Sequence, residues 1–346
     1  MGLVVAADDR VIVAVDGGNS KTDVAVVQQN GVVLVTTRGP AASPHLYGTR
    51  QAVLAIETMV RGALARVGRT LGPADVLHAG AYLAGVDLPR EQTEIMSVVT
   101  EHNWAQTMSV DNDTFALLRI GSPTGYGVAV VCGAGINCVA IDQDLRIVRF
   151  PSLGQISGDW GGGAHLGGEV MFAASRAEDG RGDETLLRQA VIEHFDARDI
   201  LQVIERMHFK EIPEARIHEL APVLFAVADR GDPVAAKLVD RLASEVSAYA
   251  IASLRRLGML GSPASIVLGG GVLAAGHHLL VQGIESRVRE VAAQPQFIYV
   301  SDAPIAGAVL LALDFIGATA GASVEAMVRE SYATDGAAGA RSLITS

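Results

Sequence analysis

The apolar positions of the chain open with two short unbroken runs, Val11-Ile12-Val13-Ala14-Val15 and Val24-Ala25-Val26-Val27, separated by polar and glycine residues. Runs of this length without alternation predict strands buried on both faces. A third run over 32–35 follows Asn30-Gly31, a pair that tolerates the positive φ of a tight hairpin. The chain is therefore expected to begin as a three-stranded antiparallel meander. Residues 50–67 place Val53, Ile56, Val60, Leu64 and Val67 at helical spacing. Strands are expected over 76–84 and 107–110, with a helix from Pro89 to about His102 between them.

The same order then recurs: a strand over 127–131, the glycine turn Cys132-Gly133-Ala134-Gly135, a strand over 136–141, the polar turn Asp142-Gln143-Asp144, and a strand over 147–150. Two such halves predict two domains with a ligand cleft between them. Residues 154–168 are the densest in glycine and read as a mobile or backbone-approached loop rather than core, with a helix from Met171 to about Glu178. Residues 184–258 read as mainly helical, with a helix start at Asp232-Pro233. Strands over 265–268 and 296–300, a helix over 304–315 and a loosely held polar tail beyond Gly321 complete the reading.

Composition narrows the function. At 346 residues the chain has room for two cored domains. A net charge of -11 with no long basic run argues against nucleic acid and anionic membranes as partners. No apolar run reaches the roughly 18–20 residues that span a bilayer. Residues 1–10 lack the length and cationic start of a signal peptide, and they leave no room for an amino-terminal helix-turn-helix. Two cysteines make no disulfide scaffold, so a soluble cytoplasmic protein is expected.

The candidate chemistry lies at the strand ends. Asp16-Gly17-Gly18-Asn19-Ser20-Lys21-Thr22 is either an ordinary hairpin turn or an anion cradle built from backbone N–H groups and the Ser20 and Thr22 hydroxyls. In the second case Asp16 is placed to hold a cation through water. Asp111 ends a strand and reads as a general base, whereas Asp113, two residues on, reads as a helix cap. Trp160 sits among glycines and is expected to face a ligand. His277 and His278 are adjacent and would point apart on a helix, which argues against zinc. Cys132 and Cys138 read as buried thiols.

Taken in order, these motifs resemble the actin-like ATPase and sugar-kinase superfamily, and within it the N-acetylglucosamine kinase branch of the BadF/BadG/BcrA/BcrD-type ATPase family. Asp16 to Thr22 is similar to the first phosphate motif and Gly133-Ala134-Gly135-Ile136-Asn137 to the second. Val110-Asp111-Asn112-Asp113 is similar to the catalytic Asp segment, Asp159-Trp160-Gly161 to the sugar loop, and Leu268-Gly269-Gly270-Gly271 to the adenosine motif. The resemblance implies an α/β fold of two actin-like (ribonuclease H-like) domains, each a mixed five-stranded sheet with flanking helices, around an ATP and sugar cleft. It implies domains at 1–113 and 114–320, a helical insertion at about 170–260, and a tail at 321–346.

The implied activity is transfer of the ATP γ-phosphate to the 6-hydroxyl of an amino sugar, N-acetylglucosamine first, by a cytoplasmic homodimer using Mg²⁺. Glucosamine and N-acetylmuramic acid are the alternative substrates. Asp16 is implied as the Mg²⁺ residue (through water), and Asp16, Gly17, Gly18, Asn19, Ser20, Lys21, Thr22, Gly133, Ala134, Gly135, Asn137, Gly269, Gly270 and Gly271 as nucleotide contacts. Ser43, His45, Asp87, Asp111, Asp159, Trp160 and Gly161 are implied as substrate contacts. The chain departs from the family at Ser43-Pro44-His45, where an Asn is usual, and at Gly167-Gly168-Glu169, which replaces Gly-Asp-Glu-Gly and makes Asp159 the candidate for the missing carboxylate. An ATPase activator carrying an iron–sulfur cluster would need cysteines at an interface, and a non-catalytic sugar sensor would need a DNA-binding segment.

Overall fold

The computed structural model describes residues 8–300, 303–318 and 323–332. They form two compact units, one of residues 8–125 with 303–318 and 323–332, and one of residues 126–300. In the first, β1 (Val11–Gly17), β2 (Lys21–Val27) and β3 (Val33–Pro40) form the expected antiparallel meander. β4 (Val76–Leu83) joins β1 in parallel, and β5 (Thr107–Asp111) joins β4, giving the order β3-β2-β1-β4-β5. Every residue of β1 is buried because both faces of the sheet are covered, which is why its sequence shows no alternation. On one face Val11, Val13, Val15, Ala79 and Ala81 share a core with Val53, Ile56, Val60 and Leu64 of helix Thr49–Ala65 and Ile95 of helix Pro89–Glu101.

The opposite face is closed by residues expected elsewhere. Helices Asp113–Gly121 and Pro304–Phe315, both placed with the second domain on sequence, pack with the first. The physical reason lies in Pro304–Phe315, apolar around nearly its whole circumference, which needs two apolar surfaces. Small residues of the sheet supply one, with a Cβ on Gly80 only 3.3 Å from Ala312, and the backbone of Asp113–Gly121 supplies the other. A Cβ on Gly307 would fall 2.0 Å from the Ala116 carbonyl oxygen. Part of the tail is ordered as well: residues 323–332 form a helix with Val328 fully buried. The buried Arg119 ties it down, donating to Asp314 at 2.7 Å and to Glu325 at 3.1 Å. The remaining tail positions lie outside the described residues.

The second unit repeats the plan. β6 (Gly127–Cys132), β7 (Ile136–Ile141) and β8 (Ile147–Arg149) are antiparallel. β9 (Pro263–Gly269) and β10 (Gln294–Tyr299) add in parallel, giving the order β10-β9-β6-β7-β8. Each strand thus has a counterpart in the first sheet. Between β8 and β9 lie five helices, from Gly163–Glu178 to Pro233–Leu257. Asp232 caps the last as expected, accepting from Val234 N and Ala235 N. The first begins at Gly163 and not near Met171, because its glycines serve packing: a Cβ on Gly167 would lie 1.9 Å from the Ile217 carbonyl oxygen.

Gly307→Ala should destabilise the first unit by roughly 1–3 kcal/mol through overpacking. Gly62→Ala, in helix Thr49–Ala65 with nothing within 4 Å of the added Cβ, should instead stabilise by about 0.5–1 kcal/mol. Thermal midpoints that move in opposite directions for the two variants are the expected result.

Candidate active site

In the first unit the glycine turn joins the carboxyl end of β1 to β2, and Gly18 N donates to the Lys21 carbonyl at 2.8 Å. Neither Gly17 nor Gly18 takes the left-handed backbone region, so freedom to turn is not why glycine stands here. Gly17 is required by space: a Cβ would fall 2.5 Å from Leu83 Cδ2, and its carbonyl accepts from Ala84 N at 2.7 Å. The turn is thereby fastened to the end of β4. Asn19 and Ser20 are exposed at its tip, Lys21 is half-buried, and Thr22 is buried with its Oγ1 lacking any hydrogen-bond partner.

Strand register brings the carboxylates together. Asp16 lies opposite Asp23 on β2 and beside Tyr82 on β4, which in turn lies beside Asp111 on β5. With side chains alternating along a strand, Asp16, Tyr82 and Asp111 share one face. They stand at the carboxyl ends of the parallel strands, where the chain switches sides of β1, the place at which open α/β sheets bind ligands. Asp16 is only 7% exposed, and burial, with the negative charges of Asp113 and Asp23 beside it, pushes its carboxyl up to about 8. Burial likewise raises Asp113 to about 6. Asp23 is held by Arg38 in a two-pronged pair at 2.7 and 2.9 Å. Asp113 is therefore a neighbour of Asp16, not the expected cap. Asn112 caps the helix, its Oδ1 accepting from Thr114 N at 3.0 Å.

Three predicted substrate residues of this unit, Asp111, Asp87 and His45, are joined by two residues that sequence reasoning missed. Asn112 donates from Nδ2 to Asp87 at 2.9 Å, while its own N–H donates to Asp111 Oδ1 at 2.8 Å. Glu91 accepts from the Asp87 and Leu88 N–H groups at 2.9 and 2.8 Å and meets His45 Nε2 at 2.8 Å. Ser43 is buried and donates to the Ala84 carbonyl at 3.4 Å. The signal for Glu91 was its place in the first turn after Leu88-Pro89, where a carboxylate reaches back to unpaired N–H groups. On the same face as Asp111, His78 is buried with its nitrogens 3.1 Å from Thr107 Oγ1 and Ser109 Oγ and its ring stacked 4.1 Å from Phe315. Burial drops its pKa to about 4.

In the second unit three glycine stretches meet at one turn. Gly133 and Ala134 carbonyls accept from Gly163 N at 2.7 Å and Ala164 N at 3.3 Å. Gly162, at φ +86, allows an approach in which a Cβ would be 2.5 Å from the Ala134 oxygen; Gly270, at φ +85, does the same against Cys132 at 2.6 Å. Gly271 N is 3.9 Å from where a Gly133 Cβ would stand, while Ala134 and Gly135 are exposed and Asn137 is half-buried. Residues 158–163 are thus a backbone-approached segment and not an open loop.

This overturns the expectation for Trp160. It is 6% exposed, in the core of the second unit beneath Arg241 (4.3 Å) and beside His165 (4.9 Å), with Gly161 wedged between Ile136 and Leu242. Its Nε1 has no partner. Asp159 is 8% exposed and engaged on both oxygens, one accepting from the Tyr249 hydroxyl and the other from Ser157 Oγ and Gly154 N. It fastens the loop to helix Pro233–Leu257 and so does not stand as a replacement sugar carboxylate. Cys132 and Cys138 are buried as expected, both pushed up to about 12 by burial.

A model of the BadF/BadG/BcrA/BcrD ATPase family matches residues 13–312. The chain belongs to that family. Two similar relatives are the N-acetyl-D-glucosamine kinase of Dictyostelium discoideum, 23% identical over 88% of this chain and 98% of that protein, and the N-acetylmuramic acid/N-acetylglucosamine kinase of Clostridium acetobutylicum, 22% identical over 76% and 86%. Among solved structures, a provisionally assigned N-acetylglucosamine kinase of Chromobacterium violaceum superposes with TM-score 0.67 at 24% identity, covering 88% of this chain and 99% of that one. A ROK family glucokinase of Streptomyces griseus gives 0.51 at 18% identity, covering 88% and 98%. The two mixed five-stranded sheets are thus the fold of the sugar kinases. For a BadF/BadG/BcrA/BcrD ATPase, a buried carboxylate such as Asp16, with the negative charges of Asp113 and Asp23 beside it, suits a hard cation, which would offset the burial and repulsion that raise it.

Two pH limbs follow for the metal-free protein. Unfolded His78 takes up a proton below its ordinary 6.5 that the folded ring refuses until about 4, so stability should fall on acidification through that window by up to about 3 kcal/mol. Asp16 holds its proton in the fold up to about 8 but loses it near 3.8 when unfolded, so stability should also fall as pH rises between these values. Between about 4 and 6.5 the two slopes oppose each other, so thermal melts in EDTA should show the alkaline fall above about 6.5 in the parent, flattened by Mg²⁺, and the acid fall only when Asp16→Asn removes the opposing slope.

Proposed function

We propose that the chain is an ATP-dependent kinase that phosphorylates the 6-hydroxyl of an amino sugar, with N-acetylglucosamine as its preferred substrate. The observation that carries this reading is the row Asp16–Tyr82–Asp111 together with the contacts running from Asp111 through Asn112, Asp87 and Glu91 to His45. A carboxylate at a strand end, oriented by its neighbour's N–H, is suited to take a proton from a sugar hydroxyl. The two relatives are named for N-acetylglucosamine and N-acetylmuramic acid, which supports an amino sugar as the substrate class.

In this reading Asp111 accepts the hydroxyl proton as the oxygen–phosphorus bond forms and ADP departs. Asp87 and His45, tethered by Glu91, hold the sugar. The turn from Gly17 to Thr22 serves the phosphates in the first unit, with the unpaired Thr22 hydroxyl available to them. Gly133, Ala134, Gly135 and Asn137, supported by Gly269 to Gly271, serve the nucleotide in the second. Asp16 and its neighbour Asp113 would hold hydrated Mg²⁺, which neutralises phosphate charge when bound. Among the described residues no helix is long and apolar enough to cross a membrane, which accords with a cytoplasmic enzyme. A homodimer is part of the proposal, and a monomer mass by sedimentation would contradict it. The iron–sulfur activator reading loses ground because both cysteines are buried and hold their protons.

ADP release measured with ATP, Mg²⁺ and a panel of N-acetylglucosamine, glucosamine, N-acetylmannosamine, N-acetylmuramic acid and glucose should give the highest kcat/KM for N-acetylglucosamine. Asp111→Asn should lower turnover by about 10²–10⁴-fold while nucleotide binding persists. Near-normal turnover in that variant would remove Asp111 from its role.

A further inference from the structure

Away from the strand ends, helix Leu220–Asp229 finishes at Asp229, and the chain returns to that point at His277 and His278. Adjacent histidines would diverge inside a helix, but these two stand at the start of helix His278–Arg289. His277 is its capping residue, with extended backbone at φ -58, ψ 125, and this keeps the two rings together, centroids 4.9 Å apart. Both address one carboxylate oxygen: His277 Nε2 lies 2.9 Å and His278 Nδ1 3.6 Å from Asp229 Oδ1.

One hydrogen bond, from His277 Nε2, reaches the carboxylate oxygen that both rings face. The second ring is beyond hydrogen-bond distance from the oxygen it faces. The His277 ring presents Nε2 to the carboxylate and is fixed by Phe225 at 4.9 Å, with its side chain only 10% exposed. One donor atom from each of the three residues lies within 4.8 Å of the other two. Tetrahedral zinc with bonds of about 2.0–2.1 Å sets its ligands about 3.3–3.4 Å apart, so the observed 2.9 and 3.6 Å lie within a few tenths of an ångström of that spacing. Two imidazoles and one carboxylate suit a borderline transition cation better than Mg²⁺. His278 and Asp229 are 60% and 50% exposed, which leaves the site open to an entering ion and to a water as fourth ligand.

We propose that Asp229, His277 and His278 form a binding site for a zinc-class divalent cation. The bound ion ties the end of helix Leu220–Asp229 to the start of helix His278–Arg289. It thereby holds the segment that follows the glycine turn 269–271 and its short helix Gly271–Ala274. The site is independent of the proposed kinase reaction and stands or falls without it.

Titration calorimetry of the full chain with ZnCl₂, in excess MgCl₂ to occupy the hard-cation site, should show saturable uptake of one ion. Co²⁺ in its place should give the intense visible bands of tetrahedral nitrogen–oxygen coordination. His278→Ala, whose ring is mostly in solvent, should keep the circular dichroism of the parent, bind zinc at least about tenfold more weakly, and lose the zinc-dependent rise in Tm. Asp229→Asn should weaken binding similarly. Absence of saturable uptake by the parent, or parent-like zinc affinity in both variants, would overturn the site.

Discussion

The parallel pairing of β1 with β4 is the interaction on which the rest of the first unit depends. It sets Asp16 beside Tyr82 and Gly17 beside Leu83, and every feature of the candidate site follows from that register. Leu83 leaves no room for a side chain at 17, so the turn is drawn against the end of β4. The next pairing, β4 with β5, extends the row to Asp111. A slip of one residue would send each carboxylate to the opposite face and into the core formed by Val13, Val15 and Ala81.

Placing Asp16 in that position works against stability. Its carboxyl is buried with the charges of Asp113 and Asp23 beside it, and holds its proton up to about 8 in the absence of a cation. The surrounding fold holds the arrangement by burying helix Pro304–Phe315 on the same side of the sheet and by anchoring that helix through Arg119. Arg119 also reaches Glu325, so residues distant in the chain reinforce the face that carries Asp16 and Asp111.

The second unit reaches the same topology with different local chemistry. Where the first strand of unit one ends in a carboxylate, β6 ends in Cys132, a buried thiol. Its turn is supported by backbone: Gly162 and Gly270 let two further segments pack directly on residues 132–135. One half is thus equipped with charged side chains and the other with close-packed peptide groups. That division fits a protein whose two halves do different work on one plan.

Local pattern was enough for much of this. Unbroken valine runs, the Asn30-Gly31 turn and the Asp232-Pro233 start act over a few residues, so strands, turns and most helices were legible, as were the internal repeat and Asp111 at its strand end. Long-range packing was not. The surface that helix Pro304–Phe315 would bury depends on a sheet formed some two hundred residues earlier in the chain. Trp160 was expected to face a ligand because its neighbours are glycines, yet those glycines let Ile136, Leu242 and the Ala134 backbone close around its segment. Asp159 was spent on Tyr249, ninety residues away. Asp113 bears on the charge of Asp16 because the helix it opens starts just beyond the end of β5, a placement that no single position encodes. Sequence by itself determined which segments become strands and where their polar ends lie; only the tertiary structure decided which of those polar groups meet and which are consumed in holding the fold, because that choice rests on contacts between residues far apart in the chain.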